Sequence, residues 1–358
     1  MTSALYGRRP LQYEETEERE GNDMSAQSFG CDFGTSSIKI YSRESDTIYC
    51  EKNMVAIEEK KGMIAYGNEA FDMHEKAPSN IEVLYPMSFG TVASITYMQQ
   101  FLRSFLEERT KGSLKGAEFI VALPTDVQDR VFTTLIHGTG IKTKNVELID
   151  KPVAAGLGLG LDVTQAQGVM LVDVGADTTE ISILSLGGTV TSKLIKNGGN
   201  KIDEAISSAI RREYGYFIGN KTAEILKNEL GYQPGDTTTK REICGRNMAL
   251  GLPALLEITA DFVANAIAEQ LKAIVDAIKM ILERTPPELG VDIIRNGIFL
   301  TGGVANLKGL DGLIADATNI KVNLVDKPEE CVARGLERVI KEKQFRSLTF
   351  VTKEQDYK

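Results

Sequence analysis

Two stretches of this chain put an acid, a glycine and a run of hydroxyls at the end of an apolar strand pattern. Those residue types can hold phosphate and a divalent cation. The first is Phe29-Gly30-Cys31-Asp32-Phe33-Gly34-Thr35-Ser36-Ser37-Ile38-Lys39-Ile40, and the second is Leu171-Val172-Asp173-Val174-Gly175-Ala176-Asp177-Thr178-Thr179-Glu180-Ile181-Ser182-Ile183. In each, an apolar run ends in Asp-x-Gly, a Thr- or Ser-rich turn follows, and alternation (Ile38/Ile40; Ile181/Ile183) predicts the returning strand of a hairpin. Glycine lets the backbone approach an anion with no Cβ in the way and can adopt positive φ, so successive N–H groups converge on a phosphate. Thr35, Ser36 and Ser37 add hydroxyl donors. Asp32 and Asp173 are placed to hold Mg2+ through its retained waters, because that ion takes only one or two carboxylates. One such turn alone reads as an ordinary strand end; two, each flanked by strand patterns, favour a pair of phosphate-holding jaws.

A third motif joins them. Gly297-Ile298-Phe299-Leu300-Thr301-Gly302-Gly303 is an apolar strand entering a double-glycine turn, and Leu307, Leu310, Leu313 and Ile314 then recur at helical spacing. A strand-turn-helix unit of this kind presents helix N-terminal N–H groups to an anion or a ring edge. Around the motifs, strands and helices alternate from Phe29 onward. The clearest helix is predicted between Asp261 and Arg284, where Ile267, Leu271, Ile274, Ile278 and Ile281 form one stripe before Pro286 stops it. Gly156-Leu157-Gly158-Leu159-Gly160 is no dinucleotide fingerprint, since Leu161 follows, and reads as close helix packing. No Gly-Lys pair occurs, which excludes a P-loop enzyme.

Taken in order, the three motifs resemble the actin/Hsp70/sugar-kinase ATPase superfamily and, within it, the bacterial actin homologue family MreB. The resemblance rests on Asn53-Met54-Val55-Ala56-Ile57, Tyr85-Pro86-Met87, Lys151-Pro152-Val153-Ala154-Ala155 and Gly198-Gly199-Asn200 with Asp203-Glu204-Ala205-Ile206. It continues through Thr222-Ala223-Glu224 with Lys227, Gly245-Arg246-Asn247, Pro286-Pro287-Glu288-Leu289 and Cys331-Val332-Ala333-Arg334-Gly335, covering residues 28 to 342. It implies an α/β, actin-like ATPase fold of two ribonuclease H-like domains around a nucleotide cleft, each with a small inserted subdomain. The first domain would span 28–165 (IA, with IB at 56–87) and the second 166–334 (IIA, with IIB at 201–261). Residues 335–358 would return to IA and end in a C-terminal tail.

The resemblance also implies ATP and Mg2+ as ligands. Phosphates fall to Gly34, Thr35, Ser36 and Ser37 and to Gly175, Ala176 and Asp177. Ribose and adenine fall to the segment Glu224-Ile225-Leu226-Lys227 and to Gly302, Gly303, Val304 and Ala305. Asp32 and Asp173 take the metal side, and Gln128 with Asp173 takes the catalytic role. On the residues alone, Glu224 and Lys227 read more often as a solvated i,i+3 ion pair, and only the resemblance raises the ligand role. The chain departs from the family pattern in several places. Asp177 and Val304 replace loop glycines, Gln128 replaces a glutamate, Lys151 stands where a Glu precedes Pro, and Ser94 stands for an Asp. A cation at 151 should compete with the metal, so slow ATP hydrolysis is expected. Lys39 matches a phosphate-binding Lys of eukaryotic actin, or is an exposed strand lysine.

Composition sets the remaining bounds. A length of 358 residues suits two domains. A formal charge of −9 with no basic stripe argues against nucleic acid as a partner. Four cysteines without C-x-x-C spacing and two histidines argue against a zinc site. No stretch approaches 18 apolar residues and no signal-peptide layout is present, so a cytoplasmic protein is expected. Residues 1–27, rich in Glu and poor in apolar side chains, are expected to be a disordered acidic extension, with Met24 a candidate natural start. The resemblance implies a cytoskeletal protein that self-associates into filaments at the cytoplasmic face of the membrane and works with the cell-wall synthesis machinery in cell shape determination. The alternative is a non-polymerising actin-fold ATP-binding chaperone or assembly factor. For membrane attachment, the loop expected at residues 107–115 is polar and Pro10 spoils an N-terminal helix. The tail from 343, with Phe345, Leu348, Phe350 and Val351, is either a membrane anchor or a solvated end.

Overall fold

The computed structural model describes residues 27–352, so the acidic extension up to 26, with Pro10 and Met24, and the last six residues lie outside the described part. Among described residues the chain divides into unit 1 (27–165, 186–189 and 330–352) and unit 2 (166–185 and 190–329).

Unit 1 is built on a five-stranded sheet. Its β1 (Ser28–Phe33), β2 (Ser37–Ser42) and β3 (Thr47–Lys52) form an antiparallel meander, and β9 (Ala117–Leu123) and β10 (Thr143–Asp150) add parallel to β1 in the order β10-β9-β1-β2-β3. Beside it lie a three-stranded sheet of β4 (Val55–Glu58), β5 (Gly62–Tyr66) and β6 (Ile81–Leu84), and a short hairpin of β7 (Met87–Ser88) and β8 (Thr91–Val92). The helices are α1 (Gly67–Met73), α2 (Ile95–Arg109), α3 (Asp129–Gly138), α4 (Lys151–Gly158) and α10 (Cys331–Lys341). Three positions let α4 and α10 seat the site strand. A Cβ on Gly158 would lie 1.8 Å from the Cys331 carbonyl, and one on Gly335 would lie 1.7 Å from that of Ala154. One on Gly30 would lie 2.7 Å from Leu336 Cβ. Contacts this close admit only glycine, so within the 156–160 run Gly158 serves helix packing while Gly160 has open space and positive φ, and α10 lies against β1, which carries Asp32.

Unit 2 repeats the scheme. β11 (Val169–Val174), β12 (Thr179–Ser185) and β13 (Gly188–Ile195) form the meander, with β17 (Ile298–Thr301) and β18 (Val322–Asn323) parallel to β11, in the order β13-β12-β11-β17-β18. A second sheet holds β14 (Tyr216–Phe217), β15 (Lys240–Asn247) and β16 (Pro253–Thr259). The helices are α5 (Gly199–Tyr214), α6 (Asn220–Leu230), α7 (Ala260–Glu283), α8 (Pro287–Asn296) and α9 (Leu310–Thr318). The α7 helix matches the predicted stripe: Ile267, Leu271, Ile274, Ile278 and Ile281 are buried, and Thr259 caps it by accepting the Phe262 N–H at 3.2 Å.

Two sequence expectations change. Glu107, Glu108 and Arg109 belong to the last turn of α2, so the connecting loop starts at residue 110. Arg109 pairs with the buried Glu51 at 2.8 Å and lies over the Phe105 ring, which extends the helix beyond what its polar sequence suggested. The segment from 343 to 350 is not a solvated end. Phe345 is buried, Phe350 exchanges both backbone hydrogen bonds with Leu148 on the edge strand β10, and Arg346 pairs with buried Glu147 at 2.7 Å. An open sheet edge and a buried carboxylate, both remote in sequence, account for the docking.

Candidate functional site

In unit 1 the β1–β2 turn is held by Asn53, which is fully buried. Its Nδ2 donates to the Gly34 carbonyl at 2.7 Å and its backbone N–H to the Ser36 carbonyl at 2.9 Å. In a planar trans peptide the carbonyl and the next N–H point in opposite directions. The Thr35 N–H is therefore turned away from Asn53. Gly34 is needed for space: its φ is not positive, and a Cβ there would lie 2.7 Å from the Ser37 carbonyl. Asp32 and Lys39 are both buried and stand directly opposite each other in the β1–β2 register. The Lys39 ammonium donates to Ser37 Oγ at 2.9 Å, so Lys39 is a buried cation at the turn and not an exposed strand lysine. Burial first, and the Asp32 charge second, push the neighbouring Cys31 thiol far up, which keeps it protonated. Gln128 is an exposed residue at the N-cap of α3 that leaves the cap unmade, and Lys151 opens α4.

In unit 2 the second loop is tied to the start of α5. The Gly175 carbonyl accepts the Gly199 N–H at 3.0 Å and the Ala176 carbonyl accepts the Asn200 N–H at 2.8 Å. By the same peptide geometry the N–H groups of Ala176 and Asp177 face away from the helix. Asp177 is not in the left-handed region, so tolerance of positive φ is not what lets it replace a glycine. Its carboxylate accepts from Asn200 Nδ2 at 2.7 Å, beside a helix N-terminus, where an anion is favoured. Asp173, half-buried, stands opposite the buried Glu180 in the β11–β12 register and beside Thr301 of β17.

That last pairing brings the third motif to the second. Gly302 has φ +85°, and a Cβ on it would lie 2.4 Å from both Asp173 Oδ1 and the Val174 carbonyl. Only glycine fits. Gly303 is exposed with open space around it, whereas Val304 and Ala305 bury their side chains in the core of unit 2, so this turn offers backbone and not side chains. The predicted helix start is corrected here. A 3-10 turn occupies Gly303–Asn306, Leu307 closes it, and α9 begins only after Gly309, whose φ of +82° interrupts the helical run.

On α6, Ile225 is exposed and Leu226 is fully buried in the core, which removes the Leu226 side chain from any ligand. Glu224 is half-buried. Lys227 does not form an i,i+3 surface pair: it is buried, with Nζ 2.8 Å from Asp203 Oδ2 and 3.4 Å from the Gly199 carbonyl. Burial pushes the Asp203 carboxyl up to about 6. The Lys227 charge and hydrogen bond oppose that rise, and the charges of Glu224 and Glu204 add to it. Asn53, Asn200 and Asp203 are the residues the motif reading gave no role. Each stands in a segment that carried the resemblance, Asn200 next to Gly199 and Asp203 one helical turn beyond it, and that placement was the available signal.

The donor set suits a magnesium nucleotide. Each unit presents outward N–H groups, a strand-ending acid and a buried lysine, and unit 1 adds the hydroxyls of Thr35, Ser36 and Ser37. Among the described residues no cluster of three or more metal-ligating side chains occurs; a set of one or two carboxylates is what Mg2+ accepts while keeping its waters. No described helix is long and apolar enough to cross a membrane.

The family model for the MreB/Mbl protein matches residues 26–347. The chain belongs to the MreB/Mbl family. It is 36% identical to the cell shape-determining protein MreB of Escherichia coli (strain K12) over 323 residues, covering 87% of this chain and 92% of that protein. It is 35% identical over 318 residues to the cell shape-determining protein Mbl of Bacillus subtilis (strain 168), covering 87% and 95%. The structure of MreB5 of Spiroplasma citri bound to AMPPNP superposes with a TM-score of 0.85 at 29% identity, covering 90% of this chain and 97% of that one. This member of the MreB/Mbl family therefore has the α/β, actin-like fold that its motifs implied.

Proposed function

We propose that this chain binds ATP with Mg2+ and assembles into filaments at the inner face of the cell membrane, where they help organise cell-wall synthesis and cell shape. The observation that carries the reading is the doubled loop. In each unit, carbonyls of a glycine turn are tied back to the scaffold, so its N–H groups face outward beside a strand-ending acid. The MreB and Mbl relatives are named as cell shape-determining proteins, and the MreB5 neighbour was solved with AMPPNP.

In this reading Gly34, Thr35, Ser36 and Ser37, with Gly175, Ala176 and Asp177, take the phosphates through backbone N–H groups and hydroxyls. Lys39 supplies a fixed positive charge. Asp32 and Asp173 hold Mg2+ through its waters, Glu224 and Lys227 face the ribose and base, and the Gly302-Gly303 backbone packs against the adenosine. Gln128 positions water. Bound ATP supplies the negative charge that these donors meet. Lys151, in place of an acid, slows hydrolysis. Subdomains IB (56–87) and IIB (201–261) flank the two larger cores. Growth of filaments requires heterologous head-to-tail contacts, which do not close on themselves.

Sedimentation tests the assembly reading. With Mg-ATP, and with lipid vesicles present, the pelleted fraction should rise above a critical concentration in the range of about tens of micromolar or below. A protein that binds ATP yet stays monomeric under all these conditions would refute it.

A further inference from the structure

The structure gives Asp203 a part in the nucleotide reading above, on which this inference rests. Asp203 and Lys227 are both buried, and their charged atoms are 2.8 Å apart. A Cβ on Gly199 would lie 3.2 Å from Lys227 Nζ, 3.1 Å from Val304 Cγ2 and 3.8 Å from Ala176 Cα. The ammonium thus sits where the start of α5, the second glycine loop and the third glycine loop come together, all within unit 2. A lysine head on a flexible four-carbon stem has many rotamers to choose from, and here a carboxylate from the neighbouring helix selects one.

Stability alone does not explain the pair. Asp203 Oδ1 is buried with no hydrogen-bond partner, which is costly, and apolar residues of similar volume commonly replace a buried ion pair at no loss. The ammonium, with three N–H donors, gives one to Asp203 and one, at a long 3.4 Å, to the Gly199 carbonyl. One donor remains for a ligand. We propose that Asp203 is a positioning residue: it fixes the Lys227 ammonium for the ribose and base of ATP without contacting the nucleotide itself.

A double-mutant cycle read by calorimetric titration of the full chain with Mg-ATP tests this. Asp203→Asn should weaken ATP binding about tenfold, Lys227→Gln should weaken it about as much, and the double variant should be no weaker than the worse single, because both remove one interaction. ATP affinity unchanged in Asp203→Asn overturns the proposal. So does an Asp203→Asn loss that persists undiminished in the Lys227→Gln background, since that is the mark of a general structural role. If Asp203→Asn does not fold, Lys227→Gln decides alone, and wild-type affinity in it is contradictory. A wild-type chain that binds no ATP refutes the nucleotide reading itself, and this inference with it.

Discussion

The two hairpins that end in an acid are built alike and charged differently. In unit 1 the buried Asp32 stands opposite the buried Lys39; in unit 2 the half-buried Asp173 stands opposite the buried Glu180. Directly opposed residues of an antiparallel pair share a face at about 5 Å between Cβ atoms. The first hairpin therefore carries its own counter-cation and the second carries two acids. Sheet order, strand direction and turn position are the same in both units, so the cross-strand residue is a point where the charge of the two hairpins differs. In the proposed reading, where both loops meet phosphate and both acids face the metal, the first hairpin adds positive charge and the second adds negative charge. In unit 2 Gly302 packs close against Asp173 Oδ1.

The largest expected effect tests that last contact. Gly302→Ala adds a methyl 2.4 Å from Asp173 Oδ1 and places alanine at φ +85°. The backbone strain alone is worth about 1–2 kcal/mol, and the clash adds to it, so a loss above about 2 kcal/mol is expected in denaturant unfolding. Gly303→Ala, with open space around its Cβ and no positive φ, is the control and should stay within about 0.5 kcal/mol. Equal stability of the two variants would show that Asp173 is not held in this way.

Exchanging the cross-strand residue sharpens the charge comparison. Lys39→Met removes the cation of the first half and should weaken Mg-ATP by about 1–2 kcal/mol, roughly tenfold, the order expected of one charge at an effective dielectric near 20. Glu180→Gln should leave ATP affinity the same or stronger and weaken the dependence on Mg2+. Titrations at two Mg2+ concentrations separate the cases, and identical responses of both variants would remove the asymmetry.

The smallest effect concerns Asp203. Its carboxyl is raised to about 6 from an ordinary 3.8. The sign follows from proton linkage: the folded state binds the proton more tightly than the unfolded state, so this group's contribution to stability is full below about pH 4 and is lost as pH rises through about 6. Carboxyl-carbon NMR should find a titration near 6, and Lys227→Met should move it higher, because the opposing cation is gone. A downward move would contradict the assigned partner.

Much of this arrangement was legible from local pattern. The two Asp-x-Gly hairpins follow from alternation around a turn, and α7 follows from the spacing of Ile267, Leu271, Ile274, Ile278 and Ile281. What was not legible depends on partners far apart in the chain. Asn53 meets the turn after Gly34 from the end of β3, Asn200 meets Asp177 across the whole of β12 and β13, and Lys227 finds Asp203 on another helix. Phe350 pairs with Leu148, far earlier in the chain, which no local periodicity signals. The burial of Lys39 was equally hidden, since an alternating strand does not say whether both of its faces are covered. Leu307 shows the converse: its spacing was helical, and the backbone at Gly309 overrode it.

The central claim is that both glycine loops serve one nucleotide. Calorimetric titration of Mg-ATP into wild type, Asp32→Ala and Asp173→Ala tests it most directly. The account predicts one ATP per wild-type chain and a marked loss of affinity in each variant, with the ligand-linked stabilisation of about 2.7 kcal/mol expected at a hundredfold excess over Kd reduced in both. Wild-type affinity in either variant, or a stoichiometry of two, would contradict it.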